Sequence, residues 1–243
     1  MPYKYDTVCF EKDLLSFHIK LNEYQIDQFL KYYELLIKWN SFMNLTAITE
    51  FESVFKKHFV DSLSLIKAVP DIEDHSYFVI DIGTGAGFPG IPLKIAFPKL
   101  KITLLDSLNK RVKFLNEVID ALELKDVSAI HGRAEDFAQQ KNMRETFDLC
   151  VSRAVANLST LSEYCIPFVK KNGLFISYKS EKIVEEYENA KSAIRILGGR
   201  YENQIEFYLP ESDIYRNLFL IRKEKLTPSK FPRKAGIPSK DPI

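Results

Sequence analysis

The chain has 243 residues and a formal net charge of +1, with 46% hydrophobic and 28% charged residues. This composition excludes a disordered chain, and the length allows one large domain or a domain with an extension. Charges interrupt the apolar runs well before the roughly 20 residues that span a bilayer, so we expect no membrane partner. The opening residues lack a signal-peptide core and the 3 cysteines lack metal-ligand spacing, which predicts a cytoplasmic protein without a metal.

The first part of the chain shows helical spacing. Within residues 22–44, an apolar stripe recurs at intervals of three and four residues, formed by Ile26, Phe29, Leu30, Tyr33, Leu36 and Ile37. Residues 50–69 repeat this pattern, and Pro70 with the following DIEDHS interrupts it. The sequence therefore predicts an N-terminal helical extension over residues 1–72.

From Tyr77 onward, strand-length apolar runs alternate with helical patterns, which is typical of a doubly wound parallel sheet. The predicted strands span residues 77–83, 101–106, 127–132, 147–153, 173–179, 204–210 and 217–223. The predicted crossover helices include residues 109–124, 157–171 and 181–197. Too few residues separate the last two strands for a parallel crossover, so they should form an antiparallel hairpin. The predicted sheet domain covers residues 73–223.

The end of the chain is basic. From Arg222 to Ile243 there are seven Lys or Arg residues and two acids, which gives this segment a net charge of +5. We therefore predict a basic C-terminal tail over residues 224–243. Its charge fits a solvated tail, and it also fits a segment that follows a phosphate backbone.

Four glycines fall in the segment DIGTGAGFPG, which comes directly after the apolar run YFVI. Gly83, Gly85 and Gly87 occupy the turn where an open parallel sheet binds its ligand, because residues without Cβ let backbone N–H groups approach it. Gly85, Gly87 and Gly90 also satisfy the dinucleotide pattern G-x-G-x-x-G, but that register begins after Gly83 has ended the strand. Asp81 repels a pyrophosphate and can pair with an α-amino group, which favours a cationic amino-acid nucleoside.

Two further positions fit a nucleoside. Asp106 ends the second predicted strand, where a carboxylate can accept hydrogen bonds from both ribose hydroxyls, although this position suits NAD equally well. The segment GRAED, residues 132–136, follows the third strand, where its backbone and Glu135 could frame an adenine edge. Taken singly, GRAED also fits an acid-rich helix N-terminus.

The glycine loop, Asp106 and the order of strands resemble the class I S-adenosylmethionine-dependent methyltransferases, whose fold is Rossmann-like. Six segments together resemble one family among them, the small-subunit ribosomal RNA methyltransferase G family, also called glucose-inhibited division protein B: WNSFMNLTAI, KHFVDSL, DIGTGAGFPGIPLKI, TLLDSLNKRVKFL, VSRAVA and FPRKAGIPSKDPI. The resemblance covers nearly the whole chain. It implies S-adenosyl-L-methionine as cofactor and methylation of guanine N7 in the 530 loop of 16S rRNA, either free or in the small ribosomal subunit.

The resemblance also implies roles for particular residues. Gly83 and Phe88 correspond to cofactor contacts of the loop, Ala134 and Glu135 to adenine contacts, and Arg153 to the arginine of the active site. General fold considerations add Gly85, Gly87 and Asp106 to the cofactor site. We assign Arg153 to catalysis and to cofactor binding. It could bind the cofactor carboxylate, an RNA phosphate or O6 of the guanine, and the first two are favoured because a cation placed on N7 would block its lone pair. An ion pair with a neighbouring acid is the alternative.

Guanine N7 has an available lone pair, so the reaction needs alignment of the reacting atoms rather than a general base. The fourth strand ends in Ser152-Arg153-Ala154, where amine-directed methyltransferases would resemble D/N-P-P-Y. His58 and Asp61 could approach the substrate or pair along a helix face. Trp39 is interpreted as a core residue.

We expect a monomer whose basic end, including Arg233 and Lys234, helps to grip the RNA. A class I methyltransferase acting on another RNA or a small molecule remains an alternative. A second alternative, from a different class of protein, is a module that binds the cofactor or the ribosome without chemistry.

Overall fold

The computed structural model describes residues 5–153, 155–181 and 183–243. Residues 1–4 of the predicted helical extension, Ala154 of the Ser-Arg-Ala segment and Lys182 lie outside this description.

Two helices open the described chain, α1 (Val8–Ser16) and α2 (Glu23–Met43). A capping box starts α2, in which the Asn22 side chain accepts from the Gln25 backbone and the Gln25 side chain accepts from the Asn22 backbone. The helix stops at Asn44, whose φ of 50° is left-handed. Trp39 is partly buried and packs against the core, with its ring 5.7 Å from that of Phe114.

The second predicted helix changes its winding along its length. Its parts are α3 (Phe51–Val54), a π-helical segment (Phe55–Val60), α4 (Asp61–Leu63) and a 3₁₀ segment (Ser64–Lys67). Regular three-and-four spacing predicts an α-helix throughout, so the π segment is a departure. It contains His58 and directly precedes Asp61, and π segments of this kind are often found at functional sites.

The seven-stranded sheet has the order β3-β2-β1-β4-β5-β7-β6. Neighbouring strands from β3 to β5 run parallel, whereas β7 pairs antiparallel with both β5 and β6. The fold class and the terminal hairpin predicted from the sequence are therefore confirmed. The strands are β1 (Phe78–Ile82), β2 (Lys101–Asp106), β3 (Val127–His131), β4 (Phe147–Arg153), β5 (Val169–Lys179), β6 (Gly199–Tyr208) and β7 (Tyr215–Lys223).

Helices follow each of the first five strands, and a short one lies near the C-terminus. They are α5 (Gly90–Ala96), α6 (Asn109–Ala121), α7 (Ala134–Phe137), α8 (Leu158–Cys165), α9 (Val184–Ile196) and α10 (Ile237–Lys240). The helix predicted over residues 157–171 is shorter than expected. It becomes a 3₁₀ turn containing Pro167, which cannot continue an α-helix, and β5 begins at Val169.

Side chains alternate between the two faces of the sheet and bury two cores. In β1, Val79 joins the core that also contains Phe29 and Phe59 of the N-terminal helices, whereas Ile80 joins the core under α8 and α9. The N-terminal helices thus share a core with the sheet rather than forming a separate body. Among the described residues, no helix is long and apolar enough to cross a membrane, and no group of three or more potential ligands could hold a metal ion.

Candidate active site

The glycine loop after β1 needs residues without a side chain for two reasons. Gly83, Gly85 and Gly87 have φ values of +68°, +63° and +95°, which L-residues rarely adopt. A Cβ at Gly83 would also lie 2.5 Å from the Val155 side chain. At Gly87 a Cβ would lie 2.7 Å from Ile91. The loop can therefore bring its backbone close to a ligand only with this sequence.

Asp81 lies beneath this loop rather than in the cleft. Its side chain is fully buried, and Oδ2 accepts hydrogen bonds from the Thr84 hydroxyl (2.7 Å) and the Gly90 N–H (2.9 Å). Burial raises the pKa of Asp81 to about 6. The interpretation that Asp81 pairs directly with an α-amino group is therefore wrong, because the carboxylate braces the loop from below.

Asp106 holds the same loop from the side. Its Oδ2 accepts the Gly85 N–H (2.9 Å) and its Oδ1 accepts the Leu108 N–H (2.9 Å), with the side chain 2% exposed. Arg111 approaches Oδ2 at 3.4 Å. A carboxylate has further lone pairs, so this arrangement leaves acceptor capacity for a ribose hydroxyl.

Two adjoining cavities open at the carboxyl ends of the parallel strands. The larger, about 750 Å³, is lined by Gly83, Gly85, Phe88 and Arg153 among others. The smaller, about 260 Å³, is lined by Gly83, Ala134 and Glu135 among others. Gly83 and Ala156 line both cavities, so the two lie side by side along the glycine loop. Gly87 and Asp106 do not line either cavity, and they shape the loop instead.

Arg153 contributes to a buried charged cluster on the wall of the larger cavity. Asp61, 3% exposed, accepts hydrogen bonds from Arg153 Nη1 (3.0 Å) and from Arg216 Nε (2.8 Å). Two guanidinium groups share one carboxylate, so the wall remains cationic. Arg153 thus makes the predicted alternative ion pair and lines the cleft as well.

His58 and Phe88 form the aromatic part of the same wall. The His58 ring stacks on Phe88 with centroids 4.5 Å apart, and the guanidinium carbon of Arg153 lies 5.0 Å from the Phe88 centroid. Burial, and then the nearby Arg153 charge, lower the pKa of His58 to about 3. His58 is therefore neutral near pH 7, and Thr46 lies 2.9 Å from its Nε2.

Sequence reasoning missed Arg216, which follows Tyr215 at the start of β7 and reaches the cleft from the hairpin. The sequence signal for a role of Arg216 was weak, because Asp61 and Arg216 are 155 positions apart and no local motif joins them. It also missed Tyr178 of β5, which lines the larger cavity and donates from its hydroxyl to the Ser62 carbonyl oxygen at 2.9 Å. Both could have been suspected only from their position at a strand end facing the switch point.

The sheet order, the glycine loop and the cleft define a class I methyltransferase fold. The crystal structure of the cyclase SpnF, at 11% identity, gives a TM-score of 0.53 over 68% of this chain and 81% of that one, which supports the fold alone. The model of the rRNA small subunit methyltransferase G family matches residues 25–214.

Several relatives carry the name ribosomal RNA small subunit methyltransferase G, and two of them serve as examples. The one from Lachnoclostridium phytofermentans is 55% identical over 238 residues, which cover 98% of each chain. The one from Alkaliphilus metalliredigens is 55% identical over 229 residues, which cover 94% of each chain. The chain belongs to the rRNA small subunit methyltransferase G family, whose methyl donor is S-adenosyl-L-methionine.

Proposed function

We propose that the protein transfers a methyl group from S-adenosyl-L-methionine to N7 of a guanine in the 530 loop of 16S rRNA. The observation that carries the proposal is one cavity, in a chain of this family, that is lined both by the glycine loop and by the two arginines paired with Asp61. The proposed site residues are Arg153 for catalysis and, for the cofactor, Gly83, Gly85, Phe88, Ala134, Glu135 and Arg153, together with Gly87 and Asp106, which act by shaping the glycine loop.

The residues of the cleft fit the cofactor in shape and charge. The left-handed glycines leave room at the centre of the cleft, which a Cβ at Gly83 would obstruct by displacing Val155. The buried Asp81 has one oxygen, Oδ1, without a hydrogen-bond partner beneath the loop, and this negative end favours a cationic ligand above it. When bound, S-adenosyl-L-methionine supplies an electrophilic methyl group on a sulfonium.

Nothing in the proposed reaction requires the protein to remove a proton from the acceptor, because guanine N7 attacks through a lone pair. His58 is neutral near pH 7, so it adds no positive charge that would compete for this lone pair. Arg153 and Arg216 are held by Asp61 and can bind the cofactor carboxylate or an RNA phosphate with little loss of side-chain freedom. Their contribution is positioning, which can supply several kcal/mol of the rate enhancement.

We also propose that the chain works in three parts. Residues 1–72 supply Thr46, His58 and Asp61 to the cleft, residues 73–223 contain the proposed cofactor residues, and residues 224–243 form a basic C-terminal segment. The substrate is ribosomal RNA, and we propose that a monomer in the cytoplasm acts on it within the small subunit or before assembly. Lys57 at the cleft adds positive charge, whereas the charge of Lys179 is paired with Glu186 at 2.6 Å.

The direct test incubates the protein with methyl-labelled S-adenosylmethionine and unmodified small-subunit RNA, both naked and within subunits, and maps the label to an atom. We expect label on one guanine N7 of the 530 loop. The Arg153→Ala variant should lose most of this labelling, whereas Arg195→Ala, an exposed arginine near the end of α9, should retain it. Absence of label on either substrate, while the protein binds S-adenosylhomocysteine, would point to another acceptor or to a module without chemistry.

A further inference from the structure

The basic C-terminal segment is bound to the domain along the part that we call the C-terminal strap, residues 227–243. Arg144 donates hydrogen bonds to the carbonyl oxygens of Thr227 (2.7 Å) and Phe231 (2.8 Å), and the Phe231 side chain is 7% exposed. Gln139 donates to the carbonyl oxygen of Pro232 at 2.9 Å. These contacts make the strap an ordered part of the fold rather than a free tail.

One buried carboxylate anchors the middle of the strap. Glu163 of α8 is 1% exposed and accepts the Arg233 backbone N–H (2.7 Å) and the Arg233 guanidinium at Nη2 (2.8 Å). The same guanidinium donates to the carbonyl oxygen of Asp241 at 2.7 Å. The charge of Arg233 is therefore used inside the protein, which removes the basis for assigning this residue to the grip on RNA.

Beyond this anchor, the strap reaches the smaller cavity. The Gly236 N–H donates to Oε1 of Glu135 at 2.8 Å, and Ser239 lines the cavity together with Tyr164 and Ala134. Gly236 has a φ of +85°, so the turn that presents its N–H favours glycine. Ser239 of the strap and the segment after β3 thus line one space of about 260 Å³, and Gly236 holds Glu135 of that lining.

We propose that the C-terminal strap is a wall of the nucleoside end of the cofactor site and that Arg233 is a positioning residue for it. This inference rests on the proposed function in one respect, namely that the smaller cavity holds the adenosine part of the cofactor. Glu135 is held through one oxygen by Gly236, which leaves the other oxygen to accept from an amine of the ligand. Without the strap, water would reach Glu135 and the cavity would lose one side.

The proposal separates the strap's cations by what they contact. Arg233 acts through Glu163 on the cofactor, whereas Lys240 is exposed and ends α10. Replacing either cation by glutamine removes the same charge from the same segment. Only the change at Arg233 breaks the anchor that holds Gly236 and Ser239 at the cavity.

The test measures the affinity of the full-length protein for S-adenosylhomocysteine by titration calorimetry, without RNA. We expect Arg233→Gln to weaken binding by about tenfold or more, the effect of a lost positioning hydrogen bond, and Lys240→Gln to leave it within about twofold. Far-ultraviolet circular dichroism checks that both variants are folded. A folded Arg233→Gln variant with the affinity of the original protein would overturn the proposal.

A second variant tests the wall without disturbing the anchor. Ser239→Trp places a large side chain at the cavity lining, and we expect it to weaken binding of S-adenosylhomocysteine and of 5′-methylthioadenosine alike, because both contain the adenosine part. Unchanged affinity for both ligands would overturn the proposal even if Arg233→Gln failed to fold. If the unaltered protein bound neither ligand, the proposed function would fail together with this inference, an outcome distinct from failure in the variants alone.

Discussion

Gly87→Ala should destabilise the protein far more than Gly85→Ala, although both change the same loop. Both glycines are left-handed, at φ values of +95° and +63°, and alanine in that conformation costs about 1–2 kcal/mol. The surroundings differ. A Cβ at Gly87 would lie 2.7 Å from both Ile91 Cγ1 and the Tyr32 hydroxyl, whereas a Cβ at Gly85 would meet nothing closer than 3.9 Å. Overpacking of a buried site adds about 1–3 kcal/mol.

We therefore expect Gly87→Ala to lower the free energy of unfolding by about 2–5 kcal/mol and Gly85→Ala by about 1–2 kcal/mol. Equilibrium unfolding in urea measures the free energy of unfolding of both variants, and the comparison is valid if the m-value is unchanged. Replacing glycine by alanine also makes the unfolded chain less flexible, which raises the free energy of unfolding. This increase is the same for both variants, so it cancels in their difference. Equal losses in the two variants would refute the packing argument, because they would leave the left-handed backbone as the only cost.

Asp61→Asn should lower the free energy of unfolding by about 3 kcal/mol or more in urea titrations, because it leaves Arg153 and Arg216 without their shared counter-charge; a loss below 1 kcal/mol would contradict this. The pKa of Asp81 is raised from 3.8 to about 6, so its stabilising contribution is present below pH 4 and is lost as the pH rises through 6. The free energy of unfolding should change by about 3 kcal/mol over this range, and Asp81→Asn should remove that change from the pH profile of unfolding. An unaltered profile would show that Asp81 ionises normally. The His58 ring, with a pKa near 3, should stay neutral down to about pH 4 in NMR titrations; a midpoint near 6.5 would contradict its burial.

The sheet and the loop were predictable because their determinants are local. The alternation of apolar runs with helical patterns indicated the parallel strands, and six residues between two runs were too few for anything except a hairpin. The glycines after β1 marked the ligand-binding edge of the sheet, because they too form a local pattern in the sequence. Each of these inferences needed only neighbours in sequence.

The rest of the site depends on contacts between distant positions. Asp81 was expected to meet the ligand because it stands near the strand end, yet its side chain turns under the loop to Thr84 and Gly90. The charge of the C-terminal segment was counted correctly, but a count could not show that Arg233 is paired with Glu163, 70 positions away. The net charge of a segment predicts the charge that it exposes to solvent only when no buried partner neutralises its charged side chains.

The bridge from Asp61 to Arg216 has a consequence for the order of folding. These residues are 155 positions apart, so closing the chain between them carries an entropic cost that early local contacts do not offset. We expect the bridge to form after the transition state, which gives Asp61 and Arg216 φ-values near zero in folding kinetics. Substitutions there should accelerate unfolding and leave the refolding rate almost unchanged. The part of the cleft wall that Arg153 and Arg216 form with Asp61 would then be among the last features to form as the chain folds and the first to be lost as it unfolds.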